Sequence, residues 1–544
     1  MKKLILTTLI CMMIPVLAQA QTVIPVDDDF IQPGETVTMT SDNIYLLTEF
    51  VFVEDGSELI IEPGTVIKAE PGTGSEASAL IIARGGKINA NGTPDNPIIF
   101  TSEADDLNFN LPLDANGLWG GVIILGKAEL NSEPGETAIE GIPTDEPRGI
   151  YGCGIEFTCD NEDNSGTFRY VQIRYGGSEI GAGNEINGLT MGGVGSGTTI
   201  EYVEVFNNFD DGFEWFGGTV NTKYLVSSFP GDDAFDYDEG FRGKGQFWFT
   251  IMRDGNRAGE HDGGTDPETA TPFATPTIYN VTYIGNGADE AGDNDAFVFR
   301  DNAGGFYYNS IFTDFSGKGI TIEDLESGED SRSRLENGDL DLANNIWWDF
   351  NVGNNPEDVI QQGFVRDALL ADGKFNEIVN PQLGGISRTN DGELNPVPSP
   401  SGAAYENVRT VPDDGFFTQT DYRGAFGANN WAIGWTAISQ LGILDNTATS
   451  VENIDQPVSV KLNQNYPNPF NPTTNISFEL DFAQYVTLEV YDVTGRKVRT
   501  LVNGVQSAGV NTVSFDASGF ASGVYMYRLT AGNITETKAM MLVK

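Results

Sequence analysis

The chain has 544 residues, of which 79 are acidic and 30 are basic, so its formal net charge is −49. Such acidity argues against nucleic acid or an anionic membrane surface as a partner. It permits the binding of divalent cations or life at high salt, and an acidic, solvated surface that keeps the protein soluble is a further explanation.

The N-terminus has the features of a secretory signal peptide. Residues 4–17 are apolar apart from two threonines, two lysines precede them, and Ala18-Gln19-Ala20 is a small-x-small cleavage site. We therefore expect the mature chain to begin at Gln21. Cys11 lies inside the apolar run without a small residue before it, which argues against a lipoprotein. No later stretch approaches the roughly 20 apolar residues of a membrane span.

Two cysteines remain after the signal peptide, Cys153 and Cys159. The segment between them is short and begins with Gly154, which eases a turn. In an exported protein this spacing predicts one local disulfide. A metal pair is the alternative, but no further cysteine is present to complete such a site.

Strand-like segments recur at a nearly fixed interval after the signal peptide. Residues 210–216, Asp-Asp-Gly-Phe-Glu-Trp-Phe, return 22 residues later as Asp-Asp-Ala-Phe-Asp-Tyr-Asp at 232–238, and other segments repeat at intervals of 21 to 24. This period, with two or three short strands in each repeat, is typical of a solenoid whose coils bury their apolar faces against one another. We predict an all-β protein with a right-handed parallel β-helix over residues 21–324.

Stacked coils place equivalent side chains in ladders about 4.8 Å apart. Two ladders on one face are predicted to fill the core. The first contains Leu189, Phe213, Phe235, Phe297 and Ile320, and the second contains Met191, Trp215, Tyr237, Phe299 and Ile322.

The period fades after residue 324. Residues 325–444 are predicted to be an irregular end of the same domain, with helical spacing of apolar residues within 356–375. Residues 445–460 are polar and lack a core pattern, so we interpret them as a linker.

Residues 461–544 differ in both pattern and charge. Alternating apolar and polar residues between turn signals predict a small antiparallel β-sandwich. Its seven basic and six acidic residues give +1, and once the two N-terminal lysines are removed, residues 21–460 carry −52. The two regions therefore form separate modules.

Several short motifs mark this last module. Its motif residues are Tyr466, Pro467, Asn468, Pro469, Phe470, Asn471 and Pro472, followed by Gly495 in a turn and by Lys538 and Lys544 at the basic end. Together with the strands around them they resemble the type A C-terminal sorting domain of the type IX secretion system. The resemblance implies passage through the type IX machinery of a Gram-negative, Bacteroidota-like bacterium. It also implies removal of the module and a passenger, residues 21–460, anchored at the outer-membrane surface or released outside the cell.

The passenger carries motifs of its own, in residues 118–126, 184–190, 210–219 and 421–436. They are similar to a family of uncharacterised bacterial surface proteins. The resemblance implies a β-helix on the cell surface and lends no activity.

Successive side chains of a strand point to opposite faces. If Phe213 and Trp215 point inward, Glu214 points outward, and Asp236 and Glu260 fall in the same outer row. The flanking carboxylates are Asp210, Asp211, Asp232, Asp233 and Asp238. Stacked carboxylates repel one another, and a hard cation with oxygen ligands is a natural counter-charge. We predict a calcium site that includes Glu214, Asp236, Glu260, Asp211 and Asp233; a solvated acidic stripe is the alternative.

An enzyme is a second possibility, since β-helices host polysaccharide lyases and hydrolases on their outer faces. Glu214 and Asp236 would be the catalytic pair, and Arg242 or Arg300 could bind a uronate carboxylate. No motif of a known lyase or glycosidase is present. His261 is the only histidine, so metal sites or triads built on histidine lack partners, and a packed role is favoured for it.

The sequence therefore favours a secreted or surface-attached β-helix protein that is structural, adhesive or glycan-binding. Its expected partners are the secretion machinery and extracellular polysaccharide or a cell-surface glycan. A calcium-stabilised coat component and a polysaccharide-degrading enzyme remain as alternatives.

Overall fold

In a computed structural model, the described residues are 21–447 and 461–544, apart from 155–157, 182–183, 265–266, 481–483, 494–495, 507–508 and 532–533. The predicted signal peptide, residues 448–460 of the predicted linker and the sorting-motif Gly495 lie outside them. Within them, the helices are all too short or too polar to cross a membrane.

The passenger is built on three parallel sheets that run along the axis of a solenoid. We call the nine-stranded one sheet 1. Its strands, in spatial and chain order, are Phe50–Val53, Ala79–Ile82, Val122–Leu125, Leu189–Gly192, Phe213–Phe216, Phe235–Asp238, Arg257–Asp262, Asp295–Arg300 and Ile320–Ile322.

Sheets 2 and 3 share four long strands, whose first halves pair in sheet 3 and whose second halves pair in sheet 2. These strands are Gly166–Arg174, Thr199–Phe206, Asn221–Ser228 and Lys244–Ile251. Sheet 2 also contains Thr22–Val26, Asn43–Leu47, Val66–Ala69, Ile98–Ser102, Thr282–Ile284, Ile311–Phe315, Ile346–Phe350 and Glu377–Ile378. Sheet 3 also contains Thr36–Met39, Glu58–Ile61, Lys87–Asn91, Thr277–Tyr279, Gly305–Tyr308 and Leu340–Ala343. The predicted parallel β-helix is confirmed.

A single residue in the left-handed region turns the chain from sheet 3 to sheet 2 in each long strand. These corner residues are Tyr170, Tyr202, Tyr224 and Phe247, with φ between 47° and 60°. Asn280, Asn309 and Asn344 occupy the same corner in later coils. The four aromatic rings stack, with centroids 4.4, 4.2 and 4.8 Å apart, which offsets a backbone conformation that bulky residues rarely adopt.

Both predicted ladders are in register and buried inside the coils. In the two ladders, Gly259 lies between Phe235 and Phe297, and His261 lies between Tyr237 and Phe299. Aromatic stacking contributes to this core: the rings of Trp215 and Trp248 lie 4.8 Å apart. The apolar interior drives the stacking of the coils.

An insertion, residues 126–165, covers part of the outer face of sheet 1. It contains the hairpin Glu136–Ala138 with Ile150–Gly152, and Cys153 and Cys159 form the predicted disulfide there. Apolar residues of the insertion pack on outward side chains of the first coils. This cluster includes Leu130, Ile139, Ile142 and Tyr151 from the insertion, and Phe52, Ile81, Ile123 and Leu125 from sheet 1.

Parallel pairing continues beyond residue 324. Leu340–Ala343 extends sheet 3, and Ile346–Phe350 and Glu377–Ile378 extend sheet 2. The sequence period is lost here because residues 323–339, which include the helix Ser331–Asn337, interrupt the coil. The coils therefore extend past the boundary that the period predicts.

Two short helices, Pro356–Val359 and Gly363–Leu369, lie within the segment predicted to be helical. Val359 and Leu369 are buried against the core of the last coils. These helices cover the C-terminal end of the solenoid.

The remaining C-terminal part of the passenger runs along the outside of the coils. It includes the hairpin Leu383–Gly385 with Asn395–Pro398. We call residues 403–444 the strap. Apart from the 3-10 turn Ala403–Tyr405 and the helix Ala437–Gln440, the strap has no regular structure of its own.

The C-terminal module forms the predicted antiparallel sandwich. One sheet contains Lys461–Leu462, Thr473–Leu480 and Gly509–Asp516, and the other contains Lys497–Gln506, Gln484–Asp492, Gly523–Ala531 and Ile534–Leu542. Its core is a hydrophobic cluster separate from that of the coils.

Candidate functional site

The outer row of sheet 1 begins as apolar and becomes acidic. Pairing places Ile123 next to Thr190, followed by Glu214, Asp236 and Glu260 on successive coils. Val298 and Thr321 complete the row. The strand register therefore brings together the three carboxylates that the sequence aligned.

Three carboxylates converge at the start of this row. Asp211, Glu214 and Asp236 each offer an oxygen, and these oxygens all lie within 4.8 Å of one another. Asp210, Asp211 and Asp232 form a second such group that shares Asp211. These are acidic clusters of a kind that could hold a metal ion.

Most of the cluster is covered, since Asp211 and Glu214 are buried and Asp236 is partly exposed. Glu214 is only 7% exposed, and Oδ1 of Asp236 is buried with no hydrogen-bond partner among the described residues. Nδ2 of Asn187 donates to Glu214 and also, over 3.0 Å, to Glu140 from the insertion. A buried carboxylate oxygen without a donor is costly unless a proton or a cation accompanies it.

Asp211 and Asp233 have a structural role at the turn before each strand. Oδ1 of Asn187 accepts from the backbone N–H of Asp211 over 3.2 Å, and Oδ1 of Asp211 accepts from Asp233 N–H over 2.8 Å. Oδ1 of Asp233 then accepts from the N–H of Arg257. We call this series the turn ladder; each side chain satisfies an amide of the next coil.

Arginine side chains neutralise the other end of the row. Glu260 Oε1 lies 2.6 Å from Arg300 Nη1 and 3.0 Å from Arg257 Nη1. Arg300 also holds Asp262 at 2.7 Å, and Arg257 lies 3.7 Å from Asp233. Glu260 and Asp233 are thus ion-paired, whereas no salt bridge within the described part of the chain reaches Asp211, Glu214 or Asp236.

Burial dominates the electrostatics of the cluster. It raises the pKa values of Asp211, Glu214 and Asp236 well above their usual range, and the neighbouring carboxylates raise them further. Burial, with Glu140 and Asp232 nearby, raises the pKa of Asp210 to about 8. At 4.8 Å and an effective dielectric constant of 20, two anions repel by about 3 kcal/mol. Three bare carboxylates here would cost an amount comparable to the stability of a domain.

The remaining candidates lie away from the cluster or are already engaged. Arg242 pairs with Glu129 at 3.1 Å, and Asp238 follows Asp236 by two residues, beside Phe216 in the next outer row. His261 is fully buried in the second core ladder, where its Nε2 lies 2.8 Å from the hydroxyl of Tyr307. Burial lowers the pKa of His261 to about 3, so the imidazole is neutral and packed, as expected.

Sequence reasoning missed two residues of the site, Glu140 and Asn187. Glu140 comes from the insertion, whose position over sheet 1 no periodicity predicts. Asn187 precedes the Leu189 strand at the spacing by which Asp211 precedes Phe213. That alignment was the available signal for it.

In the C-terminal module, Asn468 and Phe470 of the sorting motif, residues 466–472, lie against the last strand of the chain. The backbone N–H of Phe470 donates to Met541 over 2.9 Å, and Val543 N–H donates to Phe470 over 3.0 Å. Oδ1 of Asn468 accepts from the N–H of Met541 over 2.9 Å. Tyr466 is 82% exposed. Residues 464–544 match the secretion system C-terminal sorting domain. The protein is accordingly a type IX secretion substrate that is delivered to the surface or the exterior of a Gram-negative bacterium.

Among solved structures, the enzymatically active domain of tailspike protein 2 from bacteriophage CBA120 is 10% identical, with 92% of this chain and 72% of that chain covered and a TM-score of 0.21. Full-length tailspike protein 2 from an Escherichia coli O157:H7 bacteriophage is 9% identical, with 91% and 64% covered and a TM-score of 0.20. No curated protein sequence matches. The model of the pectate-lyase-like β-helix domain matches residues 31–372, and the chain belongs to that family.

Proposed function

We propose that the protein is a non-catalytic surface or extracellular scaffold, structural or adhesive in role, whose coils are stabilised by calcium bound at Asp211, Glu214 and Asp236. One observation carries the proposal: three carboxylates from two neighbouring coils converge within 4.8 Å without a basic partner among the described residues. Asp233 and Glu260, which the sequence grouped with them, would support the site from its edge.

Calcium suits this donor set because it is a hard cation that takes carboxylate oxygens in flexible geometry. A bound ion would remove the mutual repulsion and supply a partner for Oδ1 of Asp236. Since the ligands come from successive coils, they converge only in the folded chain. Calcium binding would therefore stabilise the folded state and not the unfolded state. An ion at 100 times its Kd then adds about 2.7 kcal/mol.

Thermal unfolding of the full chain tests the proposal. We expect calcium to raise Tm by a few degrees over chelator, and the double variant Glu214→Gln, Asp236→Asn to lose that response while remaining folded. The matched control is Asp324→Asn with Glu336→Gln, which neutralises the two exposed partners of Arg332. A calcium response that is unchanged in the first variant would refute the site.

A glycan-degrading enzyme at the same carboxylates is the second candidate. Glu214 and Asp236 lie on neighbouring coils, at about the separation of a retaining pair, and both pKa values are raised. The near-complete burial of Glu214 and the ion pairs of Arg242 and Arg300 favour the scaffold instead. We expect a glycan array and a polysaccharide-degradation screen to show binding at most; product release that Glu214→Gln abolishes would establish the enzyme.

A further inference from the structure

The strap is held by side chains of the coils that bind its backbone. Three buried corner asparagines donate through Nδ2 to strap carbonyls over 2.8 Å: Asn280 to Tyr422, Asn309 to Arg409, and Asn344 to Asn407. Buried Gln246 both donates to and accepts from the backbone of Thr418. The coils thus present a continuous surface for an extended chain.

The N-terminal side of this surface is aromatic. Trp435 packs edge-on against the corner rings of Tyr170 and Tyr202, at 5.6 and 6.1 Å, and Trp431 packs against Tyr224 at 5.2 Å. The strap and the outer residues beneath it form three hydrophobic clusters, all of which are separate from the cluster inside the coils. Loss of the strap would therefore leave the interior of the coils intact.

A buried carboxylate joins the strap to sheet 2. Glu204 is fully buried and accepts from the backbone N–H groups of Ala437 and Ile438, at the start of the strap helix, and from Ser228 Oγ. Beside it, Gln172 donates to the carbonyl of Trp435. Among the described residues, Glu204 is therefore the only carboxylate that accepts from the strap helix, and it lies on the outer face of the coils.

We propose that the strap is a separate cooperative unit that closes on finished coils, and that Glu204 makes its closure dependent on pH, so that acidic conditions favour the closed form. The contacts above carry the first part, because the strap has almost no regular structure of its own and its packing is independent of the coil core. The second part, the pH dependence, rests on Glu204, because opening of the strap exposes this buried carboxylate to water.

The direction follows from the charge of Glu204. Burial raises its pKa from 4.5 to about 7 when the strap is closed. The closed form thus binds a proton more tightly than the open form, and closure weakens as pH rises through about 7. If Glu204 has the ordinary glutamate pKa of 4.5 in the open form, the equilibrium constant for closing falls about tenfold between pH 6 and pH 8.

Arg174 with its partner Asp105, and Tyr175, are the other titratable groups near Glu204, and burial lowers the pKa of Arg174. Arg174 lies at the end of the neighbouring strand, pairs with Asp105 at 3.6 Å and contacts Gln440 of the strap at 2.8 Å. Burial raises the pKa of Tyr175, the next residue, to about 12. The strap residues that contact Glu204, Ala437 and Ile438, are not titratable.

Hydrogen exchange of the full chain, followed by mass spectrometry and corrected for intrinsic rates, tests the proposal. We expect amides of residues 425–444 to exchange through an opening that leaves the coil amides protected. Their protection should fall about tenfold more than that of the coils between pH 6 and pH 8. Glu204→Gln should abolish this difference.

The matched control is Glu201→Gln, which changes a partly exposed carboxylate on the same strand and should leave the pH dependence unchanged. A single opening shared by strap and coils would overturn the separate unit. Persistence of the pH dependence in Glu204→Gln would overturn the role of Glu204. If that variant fails to fold, Ser228→Ala, which removes one donor to Glu204, should shift the pH midpoint, and no shift would count against the proposal.

Discussion

His261 shows how a chemically capable residue becomes part of the core. Its ring stacks on Tyr237 at 3.9 Å and on Tyr307 at 5.5 Å. Its position two residues after Gly259 places it in an inward ladder, which is why the sequence predicts packing and not catalysis. The ladder, and not the residue type, determines the role.

The single histidine gives a direct test of this burial. With a pKa of about 3, the imidazole of His261 should remain neutral from pH 8 to pH 4.5. Because its pKa is lowered from 6.5, the unfolded chain binds the proton first, and this group costs stability as pH falls below 6.5. NMR titration of the chain's only imidazole measures the pKa of His261, and a midpoint near 6.5 would contradict the packed position.

The acidic row was predictable because strand register depends on local repeats. Glu214 and Asp236 are 22 residues apart in matching heptapeptides, so their pairing follows from the sequence alone. Glu140 was not predictable, because its place depends on how an insertion folds over a face. Likewise, Asp211 and Asp233 were both predicted as members of the calcium site, but the sequence did not indicate that Asp211 converges with Glu214 and Asp236 and that Asp233 does not.

At the scale of the coil, the turn ladder links each repeat to the next. It contains Asn187, Asp211 and Asp233, and its first member has no charge. The hydrogen bond to the next coil therefore needs a side-chain oxygen and not a carboxylate. The Asp residues at the second and third positions add charge that the hydrogen bond does not require.

Substitution at Asp233 separates these two roles. Asp233→Ala leaves the N–H of Arg257 without its acceptor and should destabilise the protein by about 1–3 kcal/mol. Asp233→Asn keeps an oxygen there and should cost much less. Denaturant unfolding measures both variants, and equal losses would show that charge, not the hydrogen bond, matters at this turn.

Element boundaries were harder to predict than the repeat itself. The period extends over the coils up to Ile322 and then disappears because the insertion before Leu340 adds a helix. The strap could not be placed from sequence, since it has no period and its partners lie far away in the chain. Glu204 and Ala437, for example, are separated by more than 200 residues.

The whole molecule combines a strongly acidic passenger with a nearly neutral sorting module. Their net charges of −52 and +1 mean that charge repulsion acts mainly on the passenger. Sodium chloride should therefore raise the Tm of the passenger between 10 mM and 500 mM. At equal ionic strength, calcium should raise the Tm further in the wild type but not in the Glu214→Gln, Asp236→Asn variant. Equal effects of the two salts on the wild type would mean that charge screening alone explains the rise in Tm.

The corner between sheets 3 and 2 has a consequence for how the chain can grow. From Tyr170 to Asn344 this corner is one or two residues long in every coil, whereas the long insertions, residues 126–165 among them, leave the solenoid at the other two corners. This edge is thus smooth from Tyr170 to Asn344, and the strap lies along it and on the neighbouring outer face of sheet 2. Residues 103–121, at the corner between sheets 2 and 1, pack against the same hydrophobic cluster as the strap. We therefore expect added loops or domains to be tolerated best at the corner between sheets 1 and 3, where residues 126–165 already leave the solenoid.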